Sequence, residues 1–346
     1  MSARKWLLGL LCGSALALAG TVTVYAADND GTPAVEAAQA AEPAQGDTSP
    51  AAPVYAARGA ESCMRCHDKG SPLAVLRTAH AVKGDSRTPF AQHACESCHG
   101  ASPDHMGKPP AAGERRTAPA VVYKGDRTAP AAVRNKMCLA CHENGLRMNW
   151  QGSQHETADI ACTNCHTIHT TDDHVLSKPT QPGVCFNCHS EQRGQTYQFS
   201  HHPIREGKVV CSDCHNPHGS AGPKLLKEFT TNEVCYNCHA EKRGPYLFEH
   251  QPVREDCLNC HTPHGSTQPR LLKQRPPFLC QMCHGEGGHQ TIAANGSLLP
   301  GGTGSVPNQT GATAALLNPR LLARGCANCH SQVHGSNSPS GQWFTR

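Results

Sequence analysis

Ten copies of one pentapeptide, Cys-x-x-Cys-His, run through this 346-residue chain and limit its fold more than any other feature. The cysteine pairs are Cys63 and Cys66, Cys95 and Cys98, Cys138 and Cys141, Cys162 and Cys165, Cys185 and Cys188, Cys211 and Cys214, Cys235 and Cys238, Cys257 and Cys260, Cys280 and Cys283, and Cys326 and Cys329. The histidines that follow them are His67, His99, His142, His166, His189, His215, His239, His261, His284 and His330. Only Cys12, in an N-terminal apolar run, stands outside the pattern. A zinc site needs two Cys-x-x-Cys pairs, or one pair and distant histidines, and neither zinc nor a disulfide framework requires His directly after each second Cys. Two thiols three positions apart can add across the vinyl groups of one porphyrin while the adjacent imidazole reaches its iron. The motifs therefore specify covalent c-type haem, ten copies of it.

Subtracting the motif histidines from the 23 present leaves 13: His80, His93, His105, His155, His169, His174, His201, His202, His218, His250, His264, His289 and His334. Ten irons need at most ten sixth ligands, so the supply covers bis-His ligation throughout with three to spare. Methionine is the poorer candidate: Met64 and Met282 lie inside Cys-x-x-Cys loops, and Met106, Met137 and Met148 are outnumbered. Bis-His ligation implies low reduction potentials, because Met is the ligand that raises them. It also leaves no coordination position for a substrate. A His three residues past a motif cannot easily reach the far face of its own haem, so His169, His218 and His264 are expected to serve neighbouring haems and to hold adjacent porphyrins close.

With the extra histidines included, the chain reads as five repeat units, each with two motifs and two further histidines. The motif pairs start at 63/95, 138/162, 185/211, 235/257 and 280/326, with extra histidines 80/105, 155/169, 202/218, 250/264 and 289/334. The expected fold is a multihaem cytochrome c, mostly loops with short α-helices and little or no β-structure, arranged as an elongated array of five haem pairs. Composition supports this, since 32 Gly, 26 Pro and only 5% aromatic residues leave too few apolar side chains for an ordinary core. Short helices are predicted around several motifs, with Thr230-Thr231-Asn232-Glu233 reading as a capping box before Cys235. Prolines 182, 203, 217, 245, 252 and 263 are expected to keep them short. The stretches 108–134 and 291–325, rich in Ala, Gly and Pro, read as surface loops.

Residues 1–26, with Arg4, Lys5, an apolar run and Val24-Tyr25-Ala26 at its end, read as a secretory signal peptide that removes Cys12 on cleavage. Residues 27–57, of Ala, Pro, Gln and acidic residues, read as a disordered leader. A haem region follows at 58–230 (haems one to six) and continues into 231–346 (haems seven to ten). Loss of Arg4 and Lys5 with the signal lowers the net charge from +4 to +2, which gives no sign of a nucleic-acid partner. Lys242, Arg243 and Arg254 are candidate partners for haem propionates or plain solvated cations.

The ten motifs, the segments Cys214-His215-Asn216-Pro217-His218-Gly219-Ser220 and Cys260-His261-Thr262-Pro263-His264-Gly265-Ser266, the run Ala240-Glu241-Lys242-Arg243-Gly244-Pro245 and the ending Cys329-His330-Ser331-Gln332-Val333-His334-Gly335-Ser336 resemble the periplasmic decahaem cytochromes of the MtrA/DmsE/PioA type. The resemblance covers about Gly59 to Arg346. It implies ten bis-His haems c and distal ligands at His80, His105, His155, His169, His202, His218, His250, His264, His289 and His334. His93, His174 and His201 have no counterpart, and His202 is favoured over His201 because it precedes Pro203. The resemblance further implies a periplasmic protein associated with the outer membrane, seated inside a β-barrel porin. There it would link a periplasmic or inner-membrane quinol-linked cytochrome to an extracellular multihaem cytochrome, reductase or mineral, as an electron-transfer protein and not an enzyme. The rival readings are a free periplasmic electron shuttle and, with less support from the ligand count, a multihaem reductase.

Overall fold

The computed structural model describes residues 52–284 and 326–345. The expected signal peptide, the leader up to residue 51, His289 and the loop 291–325 lie outside the described residues. The chain divides after Ala51, and residues 52–346 form one unit.

Residues i, i+3 and i+4 share one face of a helical turn, so a Cys-x-x-Cys-His segment in that conformation points two sulfurs and an imidazole the same way. All ten motifs adopt it. In each, the His backbone N–H donates to the carbonyl of the first Cys, at distances between 2.8 Å (His166 to Cys162) and 3.1 Å (His261 to Cys257). The two motifs of a unit differ in setting. The first begins in the last turn of a helix, as in Ala60–Met64, Ala131–Leu139, Gln181–Phe186, Thr231–Tyr236 and Phe278–Gln281. The second opens its own short turn, at Glu96–His99, Cys162–Cys165, Cys211–Cys214, Cys257–Asn259 and Cys326–Asn328.

No β-strand occurs among the described residues; isolated antiparallel bridges join Ser200 to Ser266, His215 to Leu226, Phe248 to Ser336 and His261 to Leu272. Thr230 caps its helix as expected, accepting from Glu233 N at 3.2 Å, but the Glu233 carboxylate turns instead to Arg243. Pro182 and Pro252 sit in the first turn of their helices, where a missing N–H costs nothing, so they start these helices and do not stop them.

Apolar side chains alone make no core. Among the described residues the buried hydrophobic ones are Ala60, Ala94, Val121, Ala131, Trp150, Ala161, Val210 and Val234, half of them alanines. Buried amides do part of the work. Asn135, three residues before Cys138, accepts from Cys162 N at 2.8 Å and donates to Ile160 O at 3.1 Å. Asn232, three residues before Cys235, accepts from Cys257 N at 2.7 Å and donates to Val253 O at 2.9 Å. Each ties the second motif of its unit to the helix that carries the first.

Between units the packing depends on missing side chains. Gly219 and Gly265 directly follow His218 and His264. A Cβ on either would lie 1.9 Å from a carbonyl oxygen of the preceding unit, Asn149 O or Gln195 O. Only glycine admits that approach.

Candidate haem sites

The first sulfurs of the two motifs in each unit meet. Cys63 and Cys95, Cys138 and Cys162, Cys185 and Cys211, Cys235 and Cys257, and Cys280 and Cys326 lie close enough to act on one another electrostatically. The second cysteines feel the charge of the next unit. The thiols of Cys98, Cys165, Cys214 and Cys260 are pushed up by burial and then by the charge of Cys141, Cys188, Cys235 and Cys283 respectively. Electrostatic coupling within units therefore alternates with coupling between units, and the ten motifs form one uninterrupted series in chain order.

The histidines meet in pairs. Ring centroids are 6.2 Å apart for His67 and His105, 6.0 Å for His80 and His142, and 6.1 Å for His99 and His169. They are 6.2 Å apart for His155 and His189, 6.0 Å for His166 and His218, and 6.4 Å for His202 and His239. The values are 6.2 Å for His215 and His264, 6.2 Å for His250 and His284, and 6.3 Å for His261 and His334. Two metal–nitrogen bonds of about 2 Å and two half-rings of about 1.1 Å span ~6.2 Å. The interplanar angle meanwhile ranges from 11° in the His166 pair to 87° in the His142 pair. Ring stacking would select an angle. A constant separation at any angle is what two axial ligands of one metal show, because the rings turn freely about the shared axis. The residues fit iron.

In eight of the ligand histidines the ring nitrogen facing away is held by a backbone carbonyl. Nδ1–H donates to a carbonyl oxygen from His99 to Val121 at 3.0 Å, from His215 to Lys224 at 3.0 Å and from His261 to Arg270 at 2.9 Å. Among the extra histidines His105 donates to Thr117 at 2.7 Å, His155 to Pro217 at 2.8 Å, His202 to Pro263 at 2.6 Å and His250 to Val333 at 2.9 Å. His330 donates to Trp343 O. A donating Nδ1 fixes the tautomer and presents Nε2 as the lone-pair donor. Burial acts in the same direction, lowering the pKa of His99, His142, His169, His215, His218, His261, His264 and His334 and so favouring the neutral, ligating form.

Sequence reasoning missed these carbonyls, and it misread one segment that supplies them. The stretch 108–134 is not simply a surface loop. Val121 is buried, Thr117 and Val121 receive His105 and His99, Tyr123 donates to Cys98 O at 2.8 Å, and the last residues already belong to the helix Ala131–Leu139. Backbone strain serves the same end in units three and four. Lys224 and Leu225 (φ +52° and +59°), like Arg270 and Leu271 (φ +60° and +57°), occupy the left-handed region, and Lys224 and Arg270 accept the bonds from His215 and His261.

Two of the three surplus histidines have other partners. His93 stacks on Tyr55 with centroids 3.6 Å apart, so the end of the expected leader is tied to the first unit, where Ala56 N also donates to Glu96 at 2.8 Å. His201 donates to Gln198 O at 2.8 Å and meets Glu206, while His174 is exposed. Arg243, Arg254 and Lys242 pair with Glu233, Glu249 and Glu241.

Paired haem-attachment turns on a backbone of short helices and loops define a multihaem c-type cytochrome. Residues 201–244 and 250–289 match the doubled CXXCH motif, and residues 95–181 match the cytochrome c-type protein NrfB-like family. The chain is 40% identical over 293 residues to multiheme cytochrome MtrA of Shewanella baltica (strain OS185), covering 84% of this chain and 83% of that protein. It belongs to the MtrA family of multihaem cytochromes, electron-transfer proteins with covalently attached c-type haems.

Proposed function

We propose that all ten motifs carry haem, that each iron has two histidine ligands, and that the chain conducts electrons across the outer membrane inside a β-barrel porin. The observation that carries this reading is the set of nine histidine pairs whose ring centroids stand 6.0–6.4 Å apart whatever their interplanar angle. The axial pairs are the nine described above, and the count leaves His289 for His330. When bound, each haem supplies a one-electron couple. The protein supplies the spacing between sites, the axial donors and the second hydrogen bonds that orient them.

The pairing follows a rule. The second motif of units one to four takes its further ligand from the following unit: His169, His218, His264 and His334. The first motif of units two to five takes it from the preceding unit: His80, His155, His202 and His250. Each junction is thus crossed by two iron–histidine links running in opposite directions, and only His67 with His105, and His330 with His289, close within one unit.

Two filled axial positions leave no site for a substrate, which supports electron transfer over reductase chemistry. Among the described residues no helix is long and apolar enough to cross a membrane; in this reading another chain supplies the barrel wall. Its partners are a periplasmic or inner-membrane quinol-linked cytochrome and an extracellular multihaem cytochrome or reductase. Mass spectrometry of the secreted holoprotein should give ten haems per chain. Magnetic circular dichroism should show only low-spin bis-His iron, and the reduced protein should not bind carbon monoxide. A high-spin fraction that binds carbon monoxide would instead support the reductase reading.

A further inference from the structure

Eight of the described ligand histidines donate Nδ1 to a backbone carbonyl, but His166 donates to a carboxylate. Its Nδ1 lies 2.7 Å from Oδ2 of Asp173, whose side chain is only 14% exposed. Thr167 N donates to the other oxygen at 3.2 Å, so both carboxylate oxygens are engaged and the group is held in place. Among the described residues no Lys or Arg pairs with Asp173. Among the described residues the other carboxylate near a ligand Nδ1, Glu241, stands 3.9 Å from that of His239, beyond hydrogen-bond distance, and is 61% exposed.

A hydrogen bond to an ionised acceptor is roughly twice as strong as one to a neutral carbonyl. It draws the Nδ1 proton toward Asp173 and gives the ring imidazolate character, which makes Nε2 a stronger donor and favours ferric over ferrous iron. The negative charge, partly withdrawn from water, acts in the same direction. One feature opposes this. Nδ1 of His218, the opposite ring, is buried without a hydrogen-bond partner among the described residues. That leaves His218 with the donor strength of a plain imidazole and so removes a gain, whereas Asp173 adds a charge-assisted one, and the carboxylate effect dominates.

We infer that Asp173 is a positioning residue that makes the His166–His218 site the lowest-potential centre of the chain. This rests on the assignment of that histidine pair to one iron. The site is fourth of ten in the series, so electrons entering at either end must pass a centre that is reduced last and gives up its electron first. Asp173 thereby sets an uphill step in the interior of the conduit.

The test is potentiometry of the holoprotein with three variants. In Asp173→Asn the last one-electron step of reduction, a tenth of the total, should move into the range of the others while the spectrum stays low-spin with ten haems. In His218→Met, which marks the same iron through its methionine–iron charge-transfer band, that same last step should disappear. Glu241→Gln should leave it in place. The inference is overturned if Asp173→Asn leaves the last step where it was, if a different step moves, or if the step lost in His218→Met was not the lowest. Should His218→Met keep ten bis-His irons, the ligand assignment fails before the role of Asp173 is reached. Should Asp173→Asn lose haem, His218→Met alone still decides which step belongs to the site.

Discussion

Produced without haem attachment, the mature chain is expected to have no cooperative fold. Fixing each residue costs roughly 1–2 kcal/mol of conformational entropy. Against this the described residues bury eight hydrophobic side chains, four of them alanines. Their longest α-helix, Ala131–Leu139, has 9 residues, below the ~12–15 at which an isolated helix is even marginal in water. The buried Asn135 and Asn232 can join two motifs of a unit, but in this reading the links between units run through the iron. Cytoplasmic expression, or a chain with its motif cysteines changed to serine, should give a far-UV spectrum of mostly unordered backbone and no urea transition. The holoprotein should unfold cooperatively. A native-like spectrum and a sharp transition from the haem-free chain would show that the fold does not depend on its cofactors.

The second large effect concerns the junctions. His264→Gly should turn one haem in ten, that of Cys211 and Cys214, from low-spin to high-spin. Added imidazole should restore the low-spin spectrum, because a free ligand can occupy the axial position. It should not restore the junction, because free imidazole has no covalent tie to unit four. Hydrogen-exchange protection at Ser200 and Ser266, which exchange backbone bonds at 3.0 and 2.7 Å, should therefore stay about 100-fold lower, equivalent to roughly 3 kcal/mol. His105→Gly is the contrast, since His105 and His67 share unit one. It should cost the same fraction of low-spin signal with no loss of protection at any junction. Equal protection in the two variants would mean that the axial links do not tie units together.

How much of this could be read in advance depends on where the information lies. Covalent haem attachment demands particular side chains at fixed offsets, so the ten motifs and the pairing of 63 with 95 or 235 with 257 stand out in the sequence. The absence of an ordinary core follows from composition. Sterics send His169, His218 and His264 to neighbouring haems without saying which, and the structure brings them to His99, His166 and His215 of the preceding units. The hydrogen bonds behind the ligands are another matter. A carbonyl such as Val121 O or Pro263 O carries no residue signature, since every residue has one. Asp173 looks like any acidic residue of a polar loop until its distance to His166 is known. Asn135 and Asn232 could have been found, for both occur as Asn-x-x-Cys-x-x-Cys-His.

Conduction through a barrel is tested most directly by electron transfer across a sealed membrane. The complex isolated from outer membranes through a tag on this chain should be placed in lipid vesicles that enclose reduced methyl viologen. Ferric citrate added outside should then oxidise the enclosed dye rapidly, and only when this chain is present with a co-isolated barrel protein. If the chain is recovered from the periplasm with no barrel protein, and the enclosed dye stays reduced, the protein is a shuttle and not a conduit.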